Sequence, residues 1–221
     1  DTKVPAILGP TLSTSALATD PIAQQAGVVV LGVSNTATGI TEIGDYIFRN
    51  SLPESVVQPH MVHEVVSSRG IRTAAIFYTT GDAFSVGSYQ VFKAALTDEG
   101  VVIAATYVVH DGDKEFSQQL SALSGSNLDA IVITSLANEA ARIMEQARAM
   151  DRLKGVRFLG GNNFDSDRMI GLAGQAMEGA ISGTAWNINA GTPGNAAFAE
   201  AYRNSYGADP DQFSAQAYTG V

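Results

Sequence analysis

Two hydroxyl-rich stretches have the clearest potential for chemistry in this chain: Gly9-Pro10-Thr11-Leu12-Ser13-Thr14-Ser15 and Ser34-Asn35-Thr36-Ala37-Thr38. Each follows an apolar run, and the first leads into a helical pattern. Backbone N–H groups at a helix start lack intrahelical partners and carry partial positive charge. Hydroxyls set beside them suit a carboxylate or a phosphate. Ser13, Thr14 or Ser15 would equally serve as a plain N-cap, the commoner use of such residues. The second stretch equally reads as an ordinary polar loop. Two adjacent strands that each end in a hydroxyl cluster could ring one anionic group.

Other candidates rest on less. Ala83-Phe84-Ser85-Val86-Gly87 falls one glycine short of the G-x-S-x-G nucleophile elbow. No His is placed to serve Ser85, so a hydrolase reading stands on that serine alone. His60 and His63, with Glu64 adjacent, have a spacing that shares a helix face. They miss the H-E-x-x-H zinc pattern and have no evident third ligand. His110, between Val109 and Asp111, reads as part of a surface turn. Gly160-Gly161-Asn162-Asn163 lacks the later glycine of a dinucleotide fingerprint, and no G-x-x-x-x-G-K-[ST] occurs. Trp186 suits a core or a cleft wall equally. No cofactor and no metal is implied.

Composition removes whole classes. The 221 residues are 45% hydrophobic and 16% charged, an ordinary globular balance with length enough to bury a core. A formal net charge of -9 speaks against nucleic acid and anionic lipid as partners. The absence of cysteine excludes disulfides, Cys-ligated zinc and thiol catalysis. No apolar run approaches the ~18 to 20 residues of a membrane span.

These stretches must be positioned by the elements around them. Apolar runs predict strands at Val4–Leu8 (buried), Val28–Val33, Ile71–Tyr78, Val101–Val108, Ala130–Thr134, Val156–Leu159 and Ala180–Trp186. Helices are predicted from Thr11–Ser15 to Ala26, bent at Pro21, and over Val56–Ser68, Phe84–Glu99, Glu115–Ser124, Ala137–Met150, Arg168–Gly174 and Asn195–Tyr206. Alternating strands and helices with near-continuous apolar strands predict an α/β fold with a parallel sheet covered on both faces. Ligands of such sheets sit at the carboxyl ends of the strands. That points to Gly9–Ser15, Ser34–Thr38, Thr79–Phe84, Ser135–Asn138 and Gly160–Asp165, loops of mostly small, hydroxylic or amide residues. A domain boundary fits near Leu52-Pro53.

Taken together, several segments resemble the branched-chain-amino-acid-type periplasmic binding proteins of ABC importers. They are PAILGPTLSTSALATDPIAQQAGVVVLGVSNT, YIFRN, GDAFSVG, DAIVITS, RFLGGNNF and EGAISGTAW, in the family's order and spacing over essentially the whole chain. The resemblance implies two Rossmann-like lobes with parallel sheets flanked by helices, the type I periplasmic binding fold, joined by three crossing segments. It assigns 1–52 to the first lobe, 53–189 to the second, and 190–221 to the end of the second lobe and the return towards the first. It implies a binder and not an enzyme: an extracytoplasmic (periplasmic or extracellular) monomer. A small carboxylate-bearing ligand would be trapped between the lobes for a membrane permease. A ligand-sensing regulator or receptor domain on the same fold is the alternative, because fold does not settle function.

By position, the resemblance gives Ser13 a hydroxyl and a backbone N–H for the carboxylate, with Thr14 beside it. Thr36 is given a hydroxyl and Ser34 a backbone carbonyl for an ammonium group. Phe84 stands where tyrosine is usual, and Leu136 and Ala137 fall in a ligand-facing loop. Asn162 stands where amino-acid binders of the family carry an acid, with Asp165 nearby but displaced. A buried ammonium without a carboxylate partner is costly. An oxo acid, an aromatic acid or an amide therefore suits Asn162 better than an α-amino acid. The family's opening strand and PLTG-like loop precede the matched region, and the family continues past Val221. The expectation is a central fragment, incomplete at both ends, with folding and binding on its own left open.

Overall fold

The computed structural model describes residues 4–123, 125 and 127–221. In chain order the elements are β1 (Ala6–Leu8), α1 (Ser13–Ala26), β2 (Val29–Gly32), β3 (Ile47–Arg49), α2 (Glu54–Arg69), β4 (Thr73–Thr79), α3 (Ala83–Asp98), β5 (Val102–Val109), α4 (Ser117–Leu123), β6 (Ala130–Ile133), α5 (Ala137–Arg148), β7 (Arg157–Gly160), α6 (Asp167–Ala173), β8 (Ile181–Ser182), α7 (Asn195–Tyr206) and α8 (Gln212–Thr219). The predicted end of the fourth helix, Ser124, lies outside the described residues. They form an α/β chain of two compact units, Asp1–Pro53 with Thr184–Val221, and Glu54–Gly183. Residues 184–221 group with the amino-terminal segment, so the second boundary falls at Gly183, ahead of the expected 189.

In the first unit β1, β2 and β3 form a parallel sheet in that order. Ala16 and Ala23 of α1 pack with Val30, Ala37, Ile40 and Ile47 into its core. The helix runs through Pro21 and stops where Gly27 turns left-handed at φ 64°. That conformation costs a side-chain-bearing residue but not glycine. One expectation fails here. In place of the expected buried strand Val4–Leu8, β1 covers only Ala6–Leu8, and Val4 and Leu8 are 53% and 59% exposed. Among the described residues β1 pairs with β2 alone, and none of its side chains reaches the alanine-rich core.

The second unit is a five-stranded parallel sheet in the order β5-β4-β6-β7-β8. Alternation along β6 feeds two cores, as the pleat requires. Ile131 and Ile133 pack with Phe77, Phe116, Phe158 and the α5 residues Ala140, Ile143, Met144 and Ala147. Ala130 and Val132 pack with Val62 and Val65 of α2 and Phe92 and Leu96 of α3. Both faces of the sheet are therefore covered, as its apolar strands foretold.

One further expectation is corrected, and one element is added. The predicted strand Ala180–Trp186 is only the two-residue β8, because Thr184 Oγ1 donates to the Trp186 carbonyl (2.8 Å) and accepts its N–H (3.2 Å), folding the chain into a turn. Helix α8 was not foreseen. Asp211 caps it by accepting the Ser214 N–H at 2.8 Å. Among the described residues no helix is long and apolar enough to cross a membrane.

Candidate functional site

The first unit brings its two hydroxyl loops together. Because β1 and β2 are paired and parallel, the chain leaves both strands on the same side. Ser13 is 2% exposed, and its Oγ accepts the backbone N–H groups of Thr36 and Ala37, each at 3.2 Å. The plain-cap reading of this serine therefore fails: α1 is entered at Leu12, with no side-chain cap. Asn35 ties the loops a second time, donating from Nδ2 to the Pro10 carbonyl at 2.9 Å. A Cβ at Gly32 would collide with the Asn35 amide and displace it.

The remaining atoms of this cradle fall into two groups. The Ser34 hydroxyl donates to Gln216 Oε1 of α8 at 2.8 Å. Thr36 Oγ1 and Asn35 Oδ1 are buried with no hydrogen-bond partner. Such atoms are rare in folded proteins and call for an explanation. Thr14 is exposed at the first turn of α1. Arg49 lies behind the second loop, its Nη1 donating to the Ala37 carbonyl at 2.8 Å. Burial holds its guanidinium pKa below the usual range, and the Glu42 carboxylate opposes that shift. The cradle thus offers hydroxyls, the positive end of a helix and a nearby cation, the attributes of an anion site.

The second unit sets Phe84 in the first turn of α3 after β4, Leu136 and Ala137 at the start of α5 after β6, and Asn162 in the loop after β7; these are three consecutive strands of the sheet. Phe84 is buried at 7%, while Leu136 and Ala137, at the start of α5, are half-buried. Asn163 joins the last two loops by donating from Nδ2 to the carbonyls of Ile133 (3.1 Å) and Ser135 (2.8 Å). The hydroxyls of Thr79 and Ser135, at the ends of β4 and β6, are buried without partners.

Asn162 is 7% exposed, and its backbone N–H donates to Glu54 Oε1 at 3.1 Å. Glu54 is the residue that sequence reasoning missed most completely. It is 4% exposed, and its other oxygen accepts from Ser88 Oγ at 2.7 Å. Burial raises its pKa, and hydrogen bonds from Ser88, the Asn162 amide and Gln58 offset part of that rise. Asp165 is half-buried in the same loop and engaged within the fold.

Ser85 is fully buried; its Oγ accepts the Thr79 N–H at 2.7 Å and bonds Thr134 Oγ1 at 3.1 Å. A nucleophile so enclosed has no path to a substrate. His60 is exposed, and His63, also exposed, bonds Glu99 at 2.8 Å. His110 pairs with Asp113 at the surface. Among the described residues no cluster of three or more metal-ligating side chains occurs. Trp186 is half-buried, donating from Nε1 to Asn195 Oδ1 at 2.6 Å and packing edge-on to Phe198. A cavity of about 640 Å³ lies at the opposite, amino ends of β7 and β8, lined by Arg69, Arg148, Arg157 and Glu178 among others; it contains none of the candidate residues.

Comparison with known proteins identifies the family and the fold. The periplasmic binding protein family model matches residues 1–221. No curated protein sequence matches the chain. Among solved structures, the leucine-binding protein LivK of Thermotoga maritima is 28% identical, with a TM-score of 0.88 over 98% of this chain and 61% of its own. The branched-chain amino acid transporter substrate-binding protein LivJ of Streptococcus pneumoniae, in complex with isoleucine, is 26% identical, with a TM-score of 0.86 over 98% of this chain and 61% of its own. A solute-binding protein of an ABC transporter from Rhodopseudomonas palustris, in complex with 3,4-dihydroxybenzoic acid, is 23% identical, with a TM-score of 0.82 over 98% of this chain and 60% of its own. The chain thus spans about three-fifths of the length of these structures. With its whole length matched and its fold shared, the chain belongs to the periplasmic binding protein family.

Proposed function

We propose that the protein is an extracytoplasmic solute-binding component of an ABC importer, not an enzyme, and that it captures a small carboxylate-bearing ligand. The observation that carries this reading is the buried, partnerless Thr36 hydroxyl beside Ser13 and the first turn of α1. A carboxylate there would accept from Thr36 Oγ1 and meet the positive end of the helix. Thr14, at the same turn, and Ser34, in the loop that carries Thr36, are the other proposed contributors from the first unit. Phe84, Leu136, Ala137 and Asn162 are the proposed contributors from the second, and the loaded protein is the form presented to a membrane permease. The leucine and isoleucine binders among the relatives support the general role.

The finer reading concerns the ligand's other end. Asn162 offers an amide and no charge, and the Glu54 oxygens behind it are already occupied by Ser88 and the Asn162 N–H. A ligand without an ammonium group fits this better, since a buried unpaired cation is costly. The R. palustris solute-binding protein in complex with 3,4-dihydroxybenzoic acid supports this reading. A thermal-shift panel tests the reading: leucine, its 2-oxo acid, benzoate and benzamide. A ligand at ~100 times its dissociation constant stabilises by about 2.7 kcal/mol. Shifts with the acids and none with benzamide are expected. A shift with leucine alone would overturn the preference for an uncharged far end, and no shift with any acid would overturn carboxylate capture.

A further inference from the structure

Glu54 is the first residue of α2, immediately after the boundary between the two units. It is buried to 4% exposure, and among the described residues it has no cationic partner. A carboxylate buried in that way is costly. Its contacts show what it holds: Oε1 takes the Asn162 N–H at 3.1 Å, and Oε2 takes the Ser88 hydroxyl at 2.7 Å. One helical turn on, on the same face, fully buried Gln58 hydrogen-bonds the carboxylate and donates from Nε2 to the Gly183 carbonyl at 3.1 Å. Gly183 is the last residue of this unit.

Two glycines make room for these side chains. A Cβ on Gly161 would collide with Glu54 Oε2, and one on Gly183 with Gln58 Oε1. The pair at the start of α2 therefore reaches α3, the loop after β7 and the end of β8. It fastens the Asn162 loop to both points at which the chain enters and leaves the unit.

We propose that Glu54 is a positioning residue for the ligand loop: it sets the backbone of Asn162 and, through Gln58, ties that loop to Gly183. This rests on the reading of Asn162 as a ligand residue. Glu54 itself touches no ligand in this account; its effect passes through the Asn162 amide.

The test compares Glu54→Ala, Glu54→Gln and Gly161→Ala in the protein by two readouts. The first is amide hydrogen exchange at Asn162 in the absence of ligand. Glu54→Ala should speed that exchange by at least about tenfold relative to the Phe158 amide in β7, while Glu54→Gln stays within about threefold. The second is affinity for the 2-oxo acid of leucine, which should fall by about tenfold in Glu54→Ala and recover in Glu54→Gln, whose amide oxygen still accepts. Gly161→Ala should mimic Glu54→Ala by displacing the carboxylate, and the double variant should be no worse than either alone. Unchanged exchange at Asn162 in both Glu54→Ala and Gly161→Ala overturns the proposal, and so does a fully additive double variant. Should Glu54→Ala fail to fold, Gly161→Ala against Glu54→Gln decides it by the same readouts. A wild-type protein that ignores the oxo acid would sink the binding reading, while the exchange measurement would still decide whether Glu54 sets Asn162.

Discussion

The Oγ of Ser13 accepts the backbone N–H groups of both Thr36 and Ala37, each at 3.2 Å, across 23 and 24 residues of sequence. One hydroxyl thus fixes the relative placement of the two loops that form the cradle. Beside it, Thr36 Oγ1 is buried with nothing to bond. The two residues should consequently respond to mutation in opposite ways. Ser13→Ala leaves two buried N–H groups unsatisfied and should cost about 1–3 kcal/mol of stability, measured by urea denaturation. Thr36→Val removes a hydroxyl that has no partner and should leave stability within about 0.5 kcal/mol of the parent, while ligand affinity falls roughly tenfold. A Thr36→Val protein with unchanged affinity would remove that hydroxyl from the site.

Glu54 makes stability depend on pH with a definite sign. Its folded-state pKa is raised from 4.5, chiefly by burial. The folded protein therefore holds this proton more tightly than the unfolded chain. The associated stability is fully present below the unfolded value and is lost as pH rises through the folded value. Glu54→Gln keeps a neutral group throughout. The stability of the parent minus that of Glu54→Gln should fall as pH is raised from below 4.5, then level off above the folded pKa. Parallel denaturation midpoints across that range would contradict the burial of this carboxylate.

Ser85 should prove structural. Its hydroxyl accepts the Thr79 N–H and bonds Thr134, all of them buried. Ser85→Ala should destabilise by about 1–3 kcal/mol through the orphaned Thr79 N–H. Ligand affinity should change little. A Ser85→Ala protein with parental stability would show that the Thr79–Ser85–Thr134 group is dispensable.

The fold was legible because its signals are local. Strand-like runs such as Ala130–Ile133 and the helical spacing of Ala140, Ile143, Met144 and Ala147 report burial directly through periodicity. The loops at strand ends followed from the parallel topology those runs imply; within them, the resemblance to the family singled out Ser13 and Thr36. What escaped depends on contacts distant in sequence. Ser34 meets Gln216 across 182 residues, and Glu54 meets Asn162 across 108. Nothing near Glu54 distinguishes it from an exposed first-turn acid, the usual meaning of glutamate at a helix start. Helix α8 announces itself only by Asp211. Thr184 shortened β8 through a side-chain bond to the backbone of Trp186, a competition that β-branched composition hides.

The most direct test of carboxylate capture is a calorimetric titration of the protein with the 2-oxo acid of leucine, repeated with leucine and with the Thr36→Val variant. The account predicts saturable binding of the oxo acid, weaker binding of leucine, and about a tenfold loss for the oxo acid in Thr36→Val, equivalent to about 1.4 kcal/mol. Tighter binding of leucine, or an oxo-acid affinity indifferent to Thr36, would contradict it.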